Sequence, residues 1–342
     1  METPAKERVA QAAEILDHFA ARTGLTAVVE PRRYLWTDAF AVMTWIGLHE
    51  ETRQAKYLDL ASRLVGQVHE TLGVSRNAEH PTSRGVRIGK PLAERAPDEP
   101  YDPELEWERD GQYFHYLTKW MHALERMAHA TSDDRYRRWA ADLAKTAHRA
   151  FAYPAGAPTR MYWKMSIDLS RPLVASMGAH DPLDGLIEAA ALGLEREKRD
   201  FARICEDGDW ASSDPLGAGG LLLAALRLAR LVADGRGDLQ PLLDQVLADA
   251  ARSAEASATG ISGPASRRLA FRELGFALGL HAVEPLAQYC DVARLRGFVP
   301  FARQLEEYWL DPHNQAAATW TAHSDINAVT LAACLAPKGM LA

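Results

Sequence analysis

Four stretches of the chain set an indole just ahead of a carboxylate at the start of an apolar helical pattern: Trp36 with Asp38, Trp107 with Asp110, Trp210 with Asp214, and Trp320 with Asp325. A fifth, His180-Asp181-Pro182-Leu183, lacks the Trp but shares Asp-Pro-Leu with Asp214-Pro215-Leu216. Each Asp alone reads as a helix cap, because its carboxylate accepts the orphan N–H groups of the first turn and Pro is favoured next. As a set they carry chemistry. Carboxylates that converge on one mouth supply the acid and the base or nucleophile of acetal hydrolysis, while indole faces stack on sugar rings. Helix N-termini keep some carboxylates ionised and burial raises others, which is the split such chemistry needs.

The densest group lies in Trp107-Glu108-Arg109-Asp110-Gly111-Gln112-Tyr113-Phe114-His115. Asp110 is therefore expected as one member of an acid/base pair, with Asp38, Asp181 or Asp325 as the other. His180 and His323 each sit beside an entrance Asp and are the candidate proton-transfer imidazoles, since histidine titrates near neutrality. Trp36, Trp107, Trp163 and Trp320 form the expected sugar platform. Glu108, His115, Arg160, Lys164 and Arg268 are the expected ligands of hydroxyl or anionic groups, for which the planar Arg fork is well suited. His and carboxylate side chains could also bind a metal, but none has HExxH spacing, so neither metal nor cofactor is expected. Gly217-Ala218-Gly219-Gly220 lacks the Lys-Ser/Thr of a phosphate loop and follows no strand, so close helix packing explains it.

These residues need a frame. Apolar residues at i, i+3, i+4 and i+7 mark helices throughout, and exposed patterns alternate with buried ones. Residues 5–22 and 53–72 are amphipathic, whereas Ala39–Leu48 between them contains no charge. The alternation continues with a buried helix from Asp110, an exposed one over 133–151, and buried segments at Leu183–Leu194, Gly217–Leu231, Arg268–Leu280 and Ser324–Leu335. Amphipathic or charged stretches over 195–206, 239–255 and 291–310 fall between them. About twelve helices in six antiparallel hairpins give an all-α, (α/α)6 toroid over residues 1–342 as a single domain, outer helices alternating with inner ones. Small residues such as Gly185, Gly219, Gly275 and Gly279 fit close approach of inner helices. Only Gly85–Gly89 could be a short strand. Two long connections, 73–108 and 153–180, are expected as rim loops, because long loops in compact domains are usually functional.

Composition narrows the partners. Among 342 residues, 46 acidic side chains against 39 basic ones leave a formal charge of −7 and no basic stripe, so nucleic acid is an unexpected partner. The start of the chain is too polar for a secretory signal, and no apolar run is expected to span a membrane. Three scattered cysteines, Cys205, Cys290 and Cys334, point to a reducing compartment, and the cytoplasm is the expected location. The expected partner is a small carbohydrate-like molecule; the sequence leaves the oligomeric state open.

The alternating pattern resembles the (α/α)6 superfamily of six-hairpin glycosidases and, more loosely, the related sugar epimerases. Asp110-Gly111-Gln112-Tyr113 is similar to an Asp-Gly-x-Tyr segment of unsaturated uronyl hydrolases, where the Asp is a general acid/base. The resemblance implies that role for Asp110 and a glycoside hydrolase-like activity. A sugar epimerase, isomerase or lyase with a His base is the alternative within enzymes, and a non-catalytic helical binding protein is the alternative outside them.

Overall fold

The structure is a computed structural model that describes residues 3–154, 159–206 and 208–342. Twelve helices of eleven residues or more lie among the described residues: α1 Thr3–Arg22, α2 Leu35–Thr52, α3 Lys56–Leu72, α4 Phe114–Thr131, α5 Asp134–Phe151, α6 Asp181–Ala191, α7 Glu195–Cys205, α8 Pro215–Ala233, α9 Gln240–Gly260, α10 Ala270–Leu280, α11 Val299–Leu310 and α12 Ser324–Leu335. They follow the apolar spacing. The charge-free centre of α2 is buried on every side, while α3 buries only the stripe Tyr57, Leu60, Ala61, Leu64, Val65, Val68, His69 and Leu72. The polar stretch expected as one segment over 291–310 breaks into a single turn, Ala293–Arg296, and then α11, which carries Pro300 in its first turn. Proline is accepted there because the first-turn N–H has no helical partner.

The chain packs as two compact units, one of Met1–Phe19, Gly47–Gln54 and Asp209–Ala342, the other of Ala20–Ile46 and Ala55–Gly208. In the first, α8 packs on α9 and α10, and α10 on α11 and α12. The α8–α10 contact is backbone on backbone: a methyl group at Gly219 would overlap the Gly275 carbonyl, and one at Gly279 would overlap Gly219. That helix also corrects a reading of the sequence. With 19 residues, α8 is long and apolar enough to cross a membrane by length and composition, and half of its apolar window is buried within the protein.

In the second unit, α4 pairs with α5 and α6 with α7, and α4 also packs on α3 and α6. Five short strands accompany them: β1 Gln112–Tyr113, β2 Ala152–Pro154, β3 Thr159–Met161, β4 Lys164–Met165 and β5 Pro172–Val174. Strands β2 and β3 form a hairpin, and β1 pairs antiparallel with β4, which pairs with β5. The strand expected over Gly85–Gly89 is only an isolated bridge between Gly73 and Val86.

The sheet joins the two rim connections, and a buried cation locks them. The Lys164 ammonium, 0% exposed, donates to the Glu106 carbonyl (2.6 Å), Glu106 Oε1 (2.9 Å) and the Arg109 carbonyl (2.9 Å). Arg95 donates to Glu106 Oε2 at 2.9 Å and to the Leu173 carbonyl at 3.3 Å, and the Ile167 amide donates to Glu94. All three ammonium protons of Lys164 are used, so the cation is satisfied without water.

Candidate active site

The sheet fixes the start of α4, and with it a wall of rings. Tyr113 ends β1 and serves as the N-cap position of α4, so its ring, those of His115 and Tyr116, and that of Trp163 from the other connection come together. Tyr113 lies 5.4 Å from His115, 5.3 Å from Tyr116 and 5.6 Å from Trp163, centroid to centroid. Trp107, 49% exposed, meets Trp163 edge-on at 4.7 Å. Tyr34, just ahead of α2, joins its hydroxyl to that of Tyr116 at 2.5 Å. Burial raises the pKa of Tyr34, Tyr113 and Tyr116, and the charge of exposed Glu108 raises those of Tyr34 and Tyr113 further. All three phenols therefore stay protonated hydrogen-bond donors.

Beside the wall lies a dyad. His115 Nδ1 is 4.0 Å from Asp181 Oδ1, and Asp181 Oδ2 has no hydrogen-bond partner among the described residues. Asp181 is 3% exposed at the first position of α6. Burial, then the Asp184 carboxylate, pushes its carboxyl from 3.8 up to about 8, against the Gly178 amide and Lys119. A helix N-terminus favours the anion by at most ~2 kcal/mol, which desolvation outweighs here. Loss of solvent, then the Lys119 ammonium, pushes His115 down to about 4, against Asp184. Lys119 and Asp184 pair at 2.8 Å alongside. At neutral pH the dyad is a protonated carboxyl next to a neutral imidazole, one donor and one acceptor of protons.

The structure gives several expected site residues a different task. Asp110 is not at a helix start: α4 begins at Phe114, and Trp107 lies on a separate short helix, Pro103–Glu108. The Asp110 carboxylate, 2% exposed, accepts from Arg87 (2.5 Å), the Gly89 amide (2.9 Å) and the Gly111 amide (3.0 Å), so it clamps the connection rather than facing the wall. Gly111 has φ 149°, and a methyl group there would stand 2.8 Å from the Met165 carbonyl, which accounts for glycine at the crossing. Gln112 holds Val86 and Ile167 through its amide. Of the quartet, only Tyr113 reaches the wall.

Asp38 lies within the first turn of α2, where it accepts the Tyr34 amide at 3.1 Å and stands 3.4 Å from Arg33, both side chains buried. It reaches back as the second half of a capping box does. Trp36 stacks on Phe40 at 3.9 Å within the core. Lys164 is the buried lock already described, not a rim ligand, and Arg160 is exposed on β3. His180 occupies the N-cap position of α6, half-buried.

The first unit holds the remaining candidates. Arg268 grips Glu273 through three contacts of 2.7–3.1 Å and lies 3.8 Å from the Tyr308 ring, while Trp309 donates to the same carboxylate at 2.7 Å. Its fork is thereby occupied. Trp320 is buried against Trp309. His323 is exposed at the N-cap position of α12, edge-on to Phe271, and Asp325 lies in the following turn. Only Asp214, of the four Trp-linked carboxylates, sits at an N-cap, accepting the Leu216 amide. Tyr34, Tyr116 and Asp184 escaped the sequence reading. Tyr34, two residues before Trp36, offered a local signal; the other two are brought in by packing between α4 and α6. Among the described residues, no three His, Cys, Asp or Glu side chains are grouped to hold a metal ion.

The helical frame that carries these residues is one that solved structures share. The chain matches a sugar epimerase from a ruminal bacterium over 96% of its own length and 98% of that chain, with TM-score 0.61 and 10% identity. It matches an α-1,6-mannanase of a Salegentibacter species over 96% and 99%, with TM-score 0.58 and 16% identity. The cellobiose 2-epimerase of Spirochaeta thermophila is similar over 95% and 97%, with TM-score 0.58 and 14% identity. The fold is accordingly the all-α (α/α)6 toroid that these solved structures share. No family model matches the sequence, and no curated protein does.

Proposed function

We propose that the protein is a carbohydrate-active enzyme working by acid–base catalysis, with Asp181 as proton donor and His115 as its relay. The observation that carries this reading is the buried Asp181 carboxyl, pushed up to about 8 and set 4.0 Å from a neutral imidazole beside a wall of rings. The similar structures support the substrate class, since their names describe enzymes of sugars. Trp107, Trp163 and Tyr113 would stack on sugar rings, and the phenols would donate to hydroxyls. Glycoside hydrolysis is the first reading: Asp181 protonates the leaving oxygen, and the Glu108 carboxylate activates water.

Epimerisation or isomerisation is the second reading, favoured by a specific observation. An inactive variant of the similar mannanase has two consecutive aspartates replaced. In this chain the one such pair, Asp133-Asp134, begins the amphipathic α5, where Asp133 caps the helix and binds Arg135. His115 would then take a proton directly. NMR of products from mannose- and glucose-based oligosaccharides in heavy water separates the two: new reducing ends mean hydrolysis, and deuterium on carbon without cleavage means isomerisation. An unchanged panel that also leaves tryptophan fluorescence unchanged would defeat the carbohydrate reading. We place the protein in the cytoplasm on its three free thiols, two of them buried, a location that cell fractionation tests.

A further inference from the structure

A cleft of about 500 Å³ opens between the C-terminal turns of α5, the β2–β3 hairpin and the first turns of α7. Its lining includes Lys145, His148, Arg149, Tyr153, Arg196 and Glu197, none of which belongs to the aromatic wall or the dyad. A smaller cleft of about 270 Å³ shares Arg149 and adds Arg84.

The charges in the larger cleft are unbalanced. Asp200, also in the lining, is paired outside the cleft: its Oδ1 accepts from Arg203 at 3.3 Å, while its Oδ2 stands 3.1 Å from His148 Nε2 without a hydrogen bond. Arg149 has a single long contact, 3.5 Å to the Thr146 hydroxyl. Lys145 and Arg196 have no carboxylate partner among the described residues. Three cations thus face one available carboxylate, Glu197, in a chain whose net charge is −7. Cations gathered around a concavity repel one another until an anion joins them. The rest of the lining restricts what that anion is attached to. Tyr153, stacked on Tyr162 at 4.1 Å, is held as a flat surface, and Glu197 can accept from hydroxyls. The size falls within the roughly 300–1,000 Å³ of small-molecule sites.

We propose that this cleft is a second binding site and that it takes a phosphorylated monosaccharide, the phosphate between Lys145, Arg149 and Arg196 and the hydroxyls toward Glu197. The site is separate from the dyad and stands whether or not the catalytic reading does. Calorimetric titration of the full chain with glucose 6-phosphate, glucose and inorganic phosphate tests it. Glucose 6-phosphate should bind, with the other two at least about tenfold weaker. Arg149→Ala and Arg196→Ala should each weaken binding by roughly tenfold, because each removes a charge-assisted contact. Arg149→Lys should recover part of the loss, and Asp181→Asn should leave binding unchanged. Both arginines are exposed, so circular dichroism should report an intact fold. Phosphate binding as tightly as the sugar phosphate, an adventitious ion only, would overturn the proposal. So would glucose binding equally well, or binding lost in Asp181→Asn but kept in the two Ala variants.

Discussion

Replacing Asp181 by Asn should stabilise the protein, and by an amount that depends on pH. Asp181 has a folded-state pKa of about 8 against 3.8 for a free side chain, so between those values the fold holds a proton that the unfolded chain releases. Stability from this group is therefore full below pH 3.8, falls as pH rises, and levels off above about 8. The loss amounts to about 1.4 kcal/mol per pH unit, or roughly 4 kcal/mol by pH 7. Asn keeps the shape and neutrality of the protonated carboxyl in both states, which removes that loss. Urea unfolding of the two proteins at pH 4, 5, 6, 7 and 8 should give curves that coincide near pH 4 and separate steadily, the variant being the more stable. Other titrating groups contribute equally to both and cancel in the difference. Parallel curves across this range would instead mean that Asp181 is ionised in the fold.

Further outcomes follow from packing. Lys164→Met leaves the buried Glu106 carboxylate with Arg95 alone and the Glu106 and Arg109 carbonyls without their donor, and should cost about 3 kcal/mol in urea unfolding. Gly219→Ala should destabilise by about 3 kcal/mol, because the new methyl group meets the Gly275 backbone, which cannot move aside as a side chain could. Gly220→Ala is the control: nothing lies within 4 Å of its added methyl, so helix propensity should raise stability by up to about 1 kcal/mol.

The helices were legible because their signal is local. The charge-free centre of α2 and the stripe of α3 are each written within some twenty residues, and burial follows periodicity. The glycines at the α8–α10 contact were legible for a related reason, since a residue without a side chain inside a helix asks for a close neighbour. The site was less so. Asp110 looked like a cap because Trp107 and a helical pattern flank it; the sequence does not reveal that Gln112–Tyr113 pairs with Lys164–Met165, more than fifty residues away, and delays the helix to Phe114. Lys164 and Arg268 looked like ligands because cations on rim segments usually face solvent, yet each found a carboxylate partner through the fold. Asp181 was one carboxylate among several. What separates it is its environment: Asp38 and Asp110 have arginines and amide donors, while Asp181 has the Asp184 carboxylate nearby.

Proton transfer between Asp181, His115 and a carbohydrate is read out by kcat/KM against pH for the wild type and Asp181→Asn on one sugar substrate. The wild type should rise with the deprotonation of His115 at about 4 and fall with that of Asp181 at about 8. The variant should lose at least about 100-fold in kcat/KM and with it the alkaline limb, as removal of a general acid does. A variant that turns over at the wild-type rate and keeps the fall near pH 8 would exclude Asp181 as the proton donor.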